Sequence, residues 1–293
     1  MGWINAGRES DGRAGFKERL EELGWVEGRN IEFVRRFADG KLERLPELAA
    51  DLVRLKVSVI VAVANREGRA AKAMTSTIPI VIPFAVDPVG QGLVTSLARP
   101  GGNVTGLNYA PSMELYAKRI QLLTEVSRAN RIALLWNPEG PLGASHLKAA
   151  KEATVKLPVT LVPVEVRGPD DFARAFAAMT HERIGGVLFI ATTDLFGHRQ
   201  QVAELAIKHR LPMVSVLKGV TVSGGLLSYG PSPAYLFQRA ADYVDRILRG
   251  TKPSDLPIEQ PTKFEFVVNL QTAKALGVKI PPSILVQANE IIQ

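Results

Sequence analysis

The sequence predicts a two-lobed α/β protein, and three observations carry that prediction. Short apolar runs rich in β-branched residues, of which 57–63 and 78–85 are the clearest, read as strands buried on both faces of a parallel sheet. Amphipathic helical segments separate these runs one by one, the pattern of successive βα units. The alternation restarts after about residue 110 with a similar period, so the 293 residues divide better into two cores than into one.

In the first lobe, residues 3–5 form an opening strand, followed by a polar loop over 6–12. Phe16, Leu20 and Leu23 fall at i, i+4 and i+7 of a helix that Gly24 closes just past its end. Residues 30–37 alternate apolar and charged side chains, as a strand near a sheet edge does. Leu45, Leu48, Ala49 and Leu52 line the next helix, with Pro46 in its first turn. The strand 57–63 leads at Asn65 into an alanine-rich helix ending near Thr75, and the strand 78–85 runs into Asp87, where Pro88 and Gly90 break it. Leu93, Val94 and Leu97 then mark one face of a short helix, Arg99-Pro100-Gly101-Gly102 stops it, and 103–107 is a fifth strand.

The second lobe begins with a helix over 112–126 that carries Leu115, Arg119, Ile120, Leu122 and Leu123 at helical spacing. Arg131–Trp136 is a strand stopped by Asn137-Pro138, and a helix follows over 147–155. A strand at 159–166, a helix at 171–182 capped by Gly168-Pro169-Asp170, and a buried strand at 186–191 continue the series. A helix at 200–209 and strands at 212–216 and 225–229 complete it. The remaining segment makes no third domain. A helix over 234–248 puts Leu236, Phe237, Ala240, Tyr243, Val244, Ile247 and Leu248 on one broad face, Gly250 ends it, and Pro253 and Pro257 keep the chain extended. A strand at 264–268, a short helix near 272–276 and a tail from Ser283 finish the chain. A helix and a strand left over after two complete lobes imply that the chain returns to the first lobe and crosses back. The expected division is 1–109 plus 231–255 for the N-terminal lobe and 110–230 plus 256–293 for the C-terminal lobe, joined by a multi-strand hinge.

Composition excludes several chemistries. No apolar run approaches the roughly 18 residues needed to span a bilayer, which predicts a soluble chain. The absence of cysteine removes disulfides, thiolate metal sites and a cysteine nucleophile. The 36 basic and 29 acidic residues give +7, but the basic residues are scattered along the sequence, as on a solvated surface and unlike a nucleic-acid patch. No Gly-x-Ser-x-Gly elbow, phosphate loop or His-Glu-x-x-His helix is present. Gly90-Gln91-Gly92 lacks the third glycine of a dinucleotide fingerprint, so no cofactor is expected. His146, His181, His198 and His209 lie on helices among charged residues, where a surface role outweighs a metal site. Asp170-Asp171 opens a helix and reads as a cap. The sequence therefore names no nucleophile, no base and no metal ligand set, and predicts a binding protein in place of an enzyme.

What remains is a set of polar residues where strands end. In open α/β sheets, ligands bind at the carboxyl edge. The candidates are Asn5, with Ala6 beside it, Asn65, Asp87 and Asn108 in the first lobe, and Asn137, Asp194 and Ser215 in the second. Each is common as a turn former or helix cap; their shared location argues for a ligand site, where helix N-terminal amides could hold an anion.

The blocks Asp87-Pro88-Val89-Gly90, Leu97 through Gly106 (LARPGGNVTG), Ser228-Tyr229-Gly230, Leu23 through Asn30 (LGWVEGRN) and Pro261 through Glu265 (PTKFE) resemble signatures of bacterial ABC-transporter substrate-binding proteins of the tryptophan-binding-protein-like group. The resemblance implies two Rossmann-like lobes in the type I periplasmic-binding-protein fold, closing on a solute and delivering it to an ABC permease in the inner membrane. It implies export to the periplasm, with a signal peptide or lipoprotein leader ahead of Met1. It implies a monomer with a small-molecule ligand and no nucleic acid. An aromatic or branched amino acid, or a related organic acid, is the expected solute: Asp87 and Asp194 could accept from an ammonium, and Lys218 or Arg66 would favour a carboxylate. Two departures from the resemblance stand out, Leu217-Lys218 where relatives carry an acidic residue and Asn65-Arg66-Glu67 where small residues are expected. The alternative is the ligand-sensing effector domain of a regulator, since one fold serves several functions.

Overall fold

A computed structural model of the chain describes residues 1–7, 13–109, 112–140 and 143–293, so most of the loop expected at 6–12 lies outside the described residues. The chain forms two compact units, Met1–Ala110 with Pro231–Lys263 and Pro111–Gly230 with Phe264–Gln293, and passes from one to the other three times.

In chain order the first unit holds β1 (Gly2–Asn5), α1 (Arg13–Glu22), β2 (Val34–Phe37), α2 (Leu45–Arg54), β3 (Ile60–Ala62), α3 (Asn65–Met74), β4 (Ile80–Ala85) and β5 (Val104–Asn108). The second unit follows with α4 (Met113–Ser127), β6 (Arg131–Trp136), α5 (Gly143–Thr154), β7 (Thr160–Glu165), α6 (Pro169–His181), β8 (Val187–Phe189), α7 (Thr193–Phe196), α8 (Arg199–Lys208), β9 (Met213–Ser215), α9 (Lys218–Val222) and β10 (Leu227–Pro231). The chain then returns to the first unit as α10 (Pro233–Leu248), and re-enters the second as β11 (Phe264–Asn269), α11 (Leu270–Leu276), α12 (Pro282–Gln287) and β12 (Glu290–Ile292).

The first sheet has the order β2-β1-β3-β4-β5 and is parallel throughout. Apart from the edge strand β2, which carries Arg35 and Arg36, its strands are largely apolar on both faces because helices cover both. Ile4, Ala62, Ile80 and Ile82 pack against α2 and α3, while Trp3, Val61 and Val81 pack against α1 and α10. The second sheet has the order β12-β11-β10-β9-β8-β6-β7. Strands β6 to β10 are mutually parallel along it. Asn269 at the end of β11 donates its amide to Leu226 ahead of β10, and the Tyr229 ring meets those of Phe264 and Phe266, so β11 and its parallel neighbour β12 run the opposite way. Strand prolines sit where a missing amide is tolerated: Pro163 on the outermost strand β7, Pro83 where the β4–β5 register shifts between Ile82 and Ala85, and Pro231 as the last residue of β10. Gly106 lies opposite that shift at φ 148°, and a Cβ there would fall 2.1 Å from the Ile82 carbonyl oxygen. Only glycine lets β5 lie against β4.

Several helices end in one hydrogen-bond pattern. After α6, the Arg183 amide reaches Thr180 O and the Ile184 amide reaches Met179 O; after α8, Arg210 and Leu211 do the same to Ile207 O and Ala206 O. Gly24 takes the left-handed position after α1, as its place in the sequence predicts.

Some expectations change. No helix forms around 93–97. Thr95 and Ser96 hydroxyls donate to the Arg99 carbonyl and the Thr95 amide to Pro100, so local side-chain bonds close a loop, with Leu93 and Val94 buried beneath it. The second strand is shorter than 30–37, with Ile31 held only by a bridge to Glu27. The tail from Ser283 is ordered into α12 and the edge strand β12.

The return helix α10 shows why the first unit needs the distant segment. Its face Leu236, Phe237, Ala240, Ala241, Tyr243, Val244 and Ile247 is buried. Phe237 stacks on Trp3 (5.8 Å) and meets Phe84 edge-on (5.0 Å), while Trp3 meets Phe16 edge-on (5.2 Å). Arg19 donates to Asp242 at 2.8 Å and the Trp25 indole to Asp245 at 2.8 Å, fixing the helix along its length. Phe237→Ala should lower unfolding free energy by about 3–5 kcal/mol in urea titration. Exposed Arg246→Ala on the opposite side of α10 should stay within about 0.5 kcal/mol of the parent.

Candidate functional site

In the first unit, parallel pairing brings the ends of β1, β3, β4 and β5 to one edge. The residues there are linked to one another. Asn65, first in α3, uses both ends of its amide on Val86: Nδ2 donates to the Val86 carbonyl at 2.5 Å and Oδ1 accepts from its amide at 2.9 Å. Asn65 thereby ties α3 to the end of β4. Asn5 Oδ1 accepts from the Gly7 amide at 2.9 Å, a local turn. Ala6 is buried, and its amide donates to Glu67 Oε1 at 2.7 Å. Asp87 is exposed, in the left-handed region at φ 45°, and accepts from the Gly90 amide at 3.1 Å, so it builds the loop after β4. Asn108, at the end of β5, is buried; its amide donates to the Glu259 carbonyl at 2.7 Å, and its side-chain Oδ1 is buried with no hydrogen-bond partner.

Glu67, which stands out in the sequence only as part of a departure from the resemblance, is the buried carboxyl of this edge. It is 3 % exposed in the first turn of α3. Burial pushes its carboxyl above the usual range, against the Ala6, Glu67 and Ala64 amides and Arg66, which favour the charged form. An acid in the first turn of a helix that starts at a strand end was the available signal.

In the second unit, Asn137 Oδ1 accepts from the Glu139 amide at 2.9 Å after β6. Ser215 is 1 % exposed and its hydroxyl donates to the Phe189 carbonyl at 3.1 Å, joining the ends of β9 and β8. Lys218 starts α9 and is paired with Glu290 of β12 at 2.5 Å, both about half exposed. Of Asp194, only its backbone place in α7 is described. Buried Trp136 Nε1 and Thr192 Oγ1 at the ends of β6 and β8 have no hydrogen-bond partner.

Beside these strand ends is a second group that the sequence did not reveal. Tyr116, Arg119 and His146 line a cavity of about 10 Å³ with Leu188, Phe189, Ile190, Val214 and Val216, room for one water-sized sphere. Arg119 is 4 % exposed; its Nε donates to the Tyr229 carbonyl at 2.7 Å, and its guanidinium carbon lies 5.1 Å from the Tyr116 ring centre. The Tyr116 hydroxyl is 2.7 Å from His146 Nδ1. Burial first, and Arg119 second, lower the His146 pKa to about 4, so the imidazole is neutral near pH 7. Arg119 was hidden because it falls on the apolar face of α4, where it reads as part of the helix pattern.

Chemically, the first-unit edge offers acceptors and the second-unit edge offers a buried cation with nearby aromatic rings. No group of three or more His, Asp or Glu side chains among the described residues is placed to share a metal ion.

Comparison with known proteins bears on this arrangement. The family model described as ABC transporter substrate binding protein matches residues 7–292. The chain is similar to a tyrosine-binding protein of Clostridioides difficile, 25% identical over 268 residues, or 91% of this chain and 76% of that one. Among solved structures, a conserved domain protein from Vibrio cholerae superposes with TM-score 0.89 at 26% identity, covering 99% of this chain and 98% of the other. An ABC domain from Streptococcus pneumonia in complex with L-Trp superposes with TM-score 0.89 at 20% identity over 99% and 98% of the two chains.

The lowered pKa of His146 has a definite sign. The unfolded chain binds a proton at His146 below about 6.5 and the folded chain only below about 4, so stability is complete above 6.5 and falls as pH drops towards 4. The loss should approach about 3 kcal/mol from this group alone. His146→Asn should flatten that slope in urea titrations between these pH values, whatever its effect at neutral pH.

Proposed function

Because the chain belongs to the ABC transporter substrate binding protein family, we propose that it captures an aromatic or branched-chain amino acid, or a related organic acid, for an ABC importer. The observation that carries this reading is the family match, which spans residues 7–292 of a 293-residue chain. The fold is that of type I periplasmic binding proteins, two α/β units with largely parallel sheets. Substrate-binding proteins of ABC importers are extracytoplasmic and work with a membrane permease. No helix among the described residues is long and apolar enough to cross a membrane. The regulator alternative shares the fold without the family.

The finer reading concerns the solute. A relative 25% identical to the chain is a tyrosine-binding protein, which supports an aromatic amino acid as the first ligand to test. In the proposed mode, Asn108 Oδ1 and the Glu67 carboxylate provide acceptors for an ammonium on the first unit. On the second unit, the field of buried Arg119 favours a carboxylate, with Asn137, the segment at Asp194, and Lys218 around it. Asn5, Ala6, Asn65, Asp87 and Ser215 act by holding the backbone that surrounds the ligand. The protein acts as a monomer, closing on the solute.

Thermal unfolding with amino acids and aromatic acids tests the class. A true ligand at 100 times its Kd adds about 2.7 kcal/mol, an easily read rise in Tm. Tyrosine, tryptophan or phenylalanine should give it; no rise with any amino acid or organic acid, confirmed by calorimetry, would end the proposal. Asn108→Leu should act with opposite signs on the two states. Removing an unpaired buried acceptor should raise ligand-free stability by about 1 kcal/mol, while ligand affinity falls on the order of tenfold.

A further inference from the structure

Four of the basic residues that look scattered in the sequence, Arg128, Lys156, Arg183 and Arg210, gather on one edge of the second unit. Arg128, Arg183 and Arg210 each stand at the close of a helix, α4, α6 and α8, in the left-handed region with φ 55°, 55° and 54°. Each leads directly into a strand, β6, β8 or β9, and those three strands are neighbours in the sheet. Ala133, Val187 and Met213 form one aligned row across them, and the arginines precede that row by five, four and three residues. With neighbouring strands about 4.8 Å apart, the three backbone positions spread over about 10 Å along the amino edge, within about one Debye length at physiological salt.

All three arginines are exposed and none has an ion pair among the described residues. The geometry does not require arginine, since Gly24, Gly250 and Gly277 hold the same left-handed position after other helices. Next along the edge, between α5 and β7, come Val155, 81 % exposed, and exposed Lys156. Nearby carboxylates cancel the charge only in part: Glu182 is paired with Arg131 at 3.0 Å, Lys151 stands beside Glu152 in the last turn of α5, and Glu125, which accepts from the Ser283 hydroxyl, keeps its charge, so Arg128, Arg183, Arg210 and Lys156 remain in excess.

We propose that this amino edge of the second unit, Arg128, Arg183, Arg210 and Lys156 with Val155 beside them, is a docking surface for an anionic phospholipid bilayer. A row of unpaired cations spread over about 10 Å meets several headgroup charges at once, and an exposed valine beside them suits the apolar boundary beneath the headgroups. An acidic protein would satisfy the cations but leave Val155 unexplained. The surface is separate from the strand ends considered for the solute, so it holds whatever ligand those ends take.

The test is flotation of the full chain with vesicles of phosphatidylcholine alone and of equal parts phosphatidylcholine and phosphatidylglycerol. The protein should partition onto the anionic vesicles on the order of tenfold or more above the neutral ones, and high salt should release it. The triple variant R128N/R183N/R210N should lose that preference, because asparagine tolerates the left-handed backbone while removing the charge. A control with the same charge change in the first unit, R29N/K41N/K252N, should keep most of it. Independently of any variant, arginine-selective labelling read by mass spectrometry should show Arg128, Arg183 and Arg210 protected on anionic vesicles and Arg29 unprotected. Equal binding to both vesicle types, equal loss in the control variant, no protection of the three arginines, or their protection only by an acidic membrane protein would each overturn the proposal.

Discussion

Parallel pairing is the constraint on which this molecule depends. A strand entered from one edge must be re-entered from that same edge, so the chain crosses back by a helix, or between β4 and β5 by a long loop, and every strand of β1 to β5 ends on one side. The polar residues that follow those strands are thereby collected without any of them being close in sequence. The same rule gathers the opposite ends. Arg128, Arg183 and Arg210 are neighbours because β6, β8 and β9 are, although 82 residues separate the first from the last. One topological rule thus builds unlike surfaces at opposite strand ends, acceptors and amides at the carboxyl ends of the first sheet and exposed charge at the amino ends of β6, β8 and β9.

Hydrogen bonds at the strand ends then decide which polar residues remain open to a ligand. Asn65 and Ser215 have their side chains committed to the backbone of neighbouring strands, and Lys218 to Glu290. Asn108 Oδ1 is left buried without a partner, an energetic cost in the folded molecule. Glu67 carries a related cost, since burial works against its charge while the Ala6 amide favours it. Asn108 Oδ1 thus differs from Glu67, whose carboxyl is already engaged by the Ala6 amide.

Much of the architecture was legible in the sequence for simple reasons. Strands such as β4 and β6, buried on both faces, show as unbroken apolar runs, and Gly24 and Gly250 mark helix ends because the left-handed turn favours them. The segment 93–97 misled because Leu93, Val94 and Leu97 have helical spacing, while the hydroxyls of Thr95 and Ser96 offer the backbone better local partners. α9 and β12 are too short for periodicity to register. At the site, sequence position revealed which residues stand at strand ends but not what they touch. Asn65 meets Val86 across 21 residues and Arg119 meets Tyr229 across 110, and only the folded sheet makes those pairs. Arg119 also sat on an apolar helix face, where a charge is read as an exception and not as a buried cation.

The return helix has a consequence for how the protein is made. Arg19 and Asp242 are separated by 223 residues, so at typical synthesis rates of about 5–20 residues per second the partner of α1 emerges roughly ten to forty-five seconds later. Until then the aromatic face of Trp3, Phe16 and Phe84 has no cover from Phe237. The second unit waits as well, since β11 and β12 come from the last thirty residues. The first unit therefore cannot close until 231–263 have been made, and the second needs 264–293 as well, so each half stays incomplete and open to chaperones well after its first strands emerge.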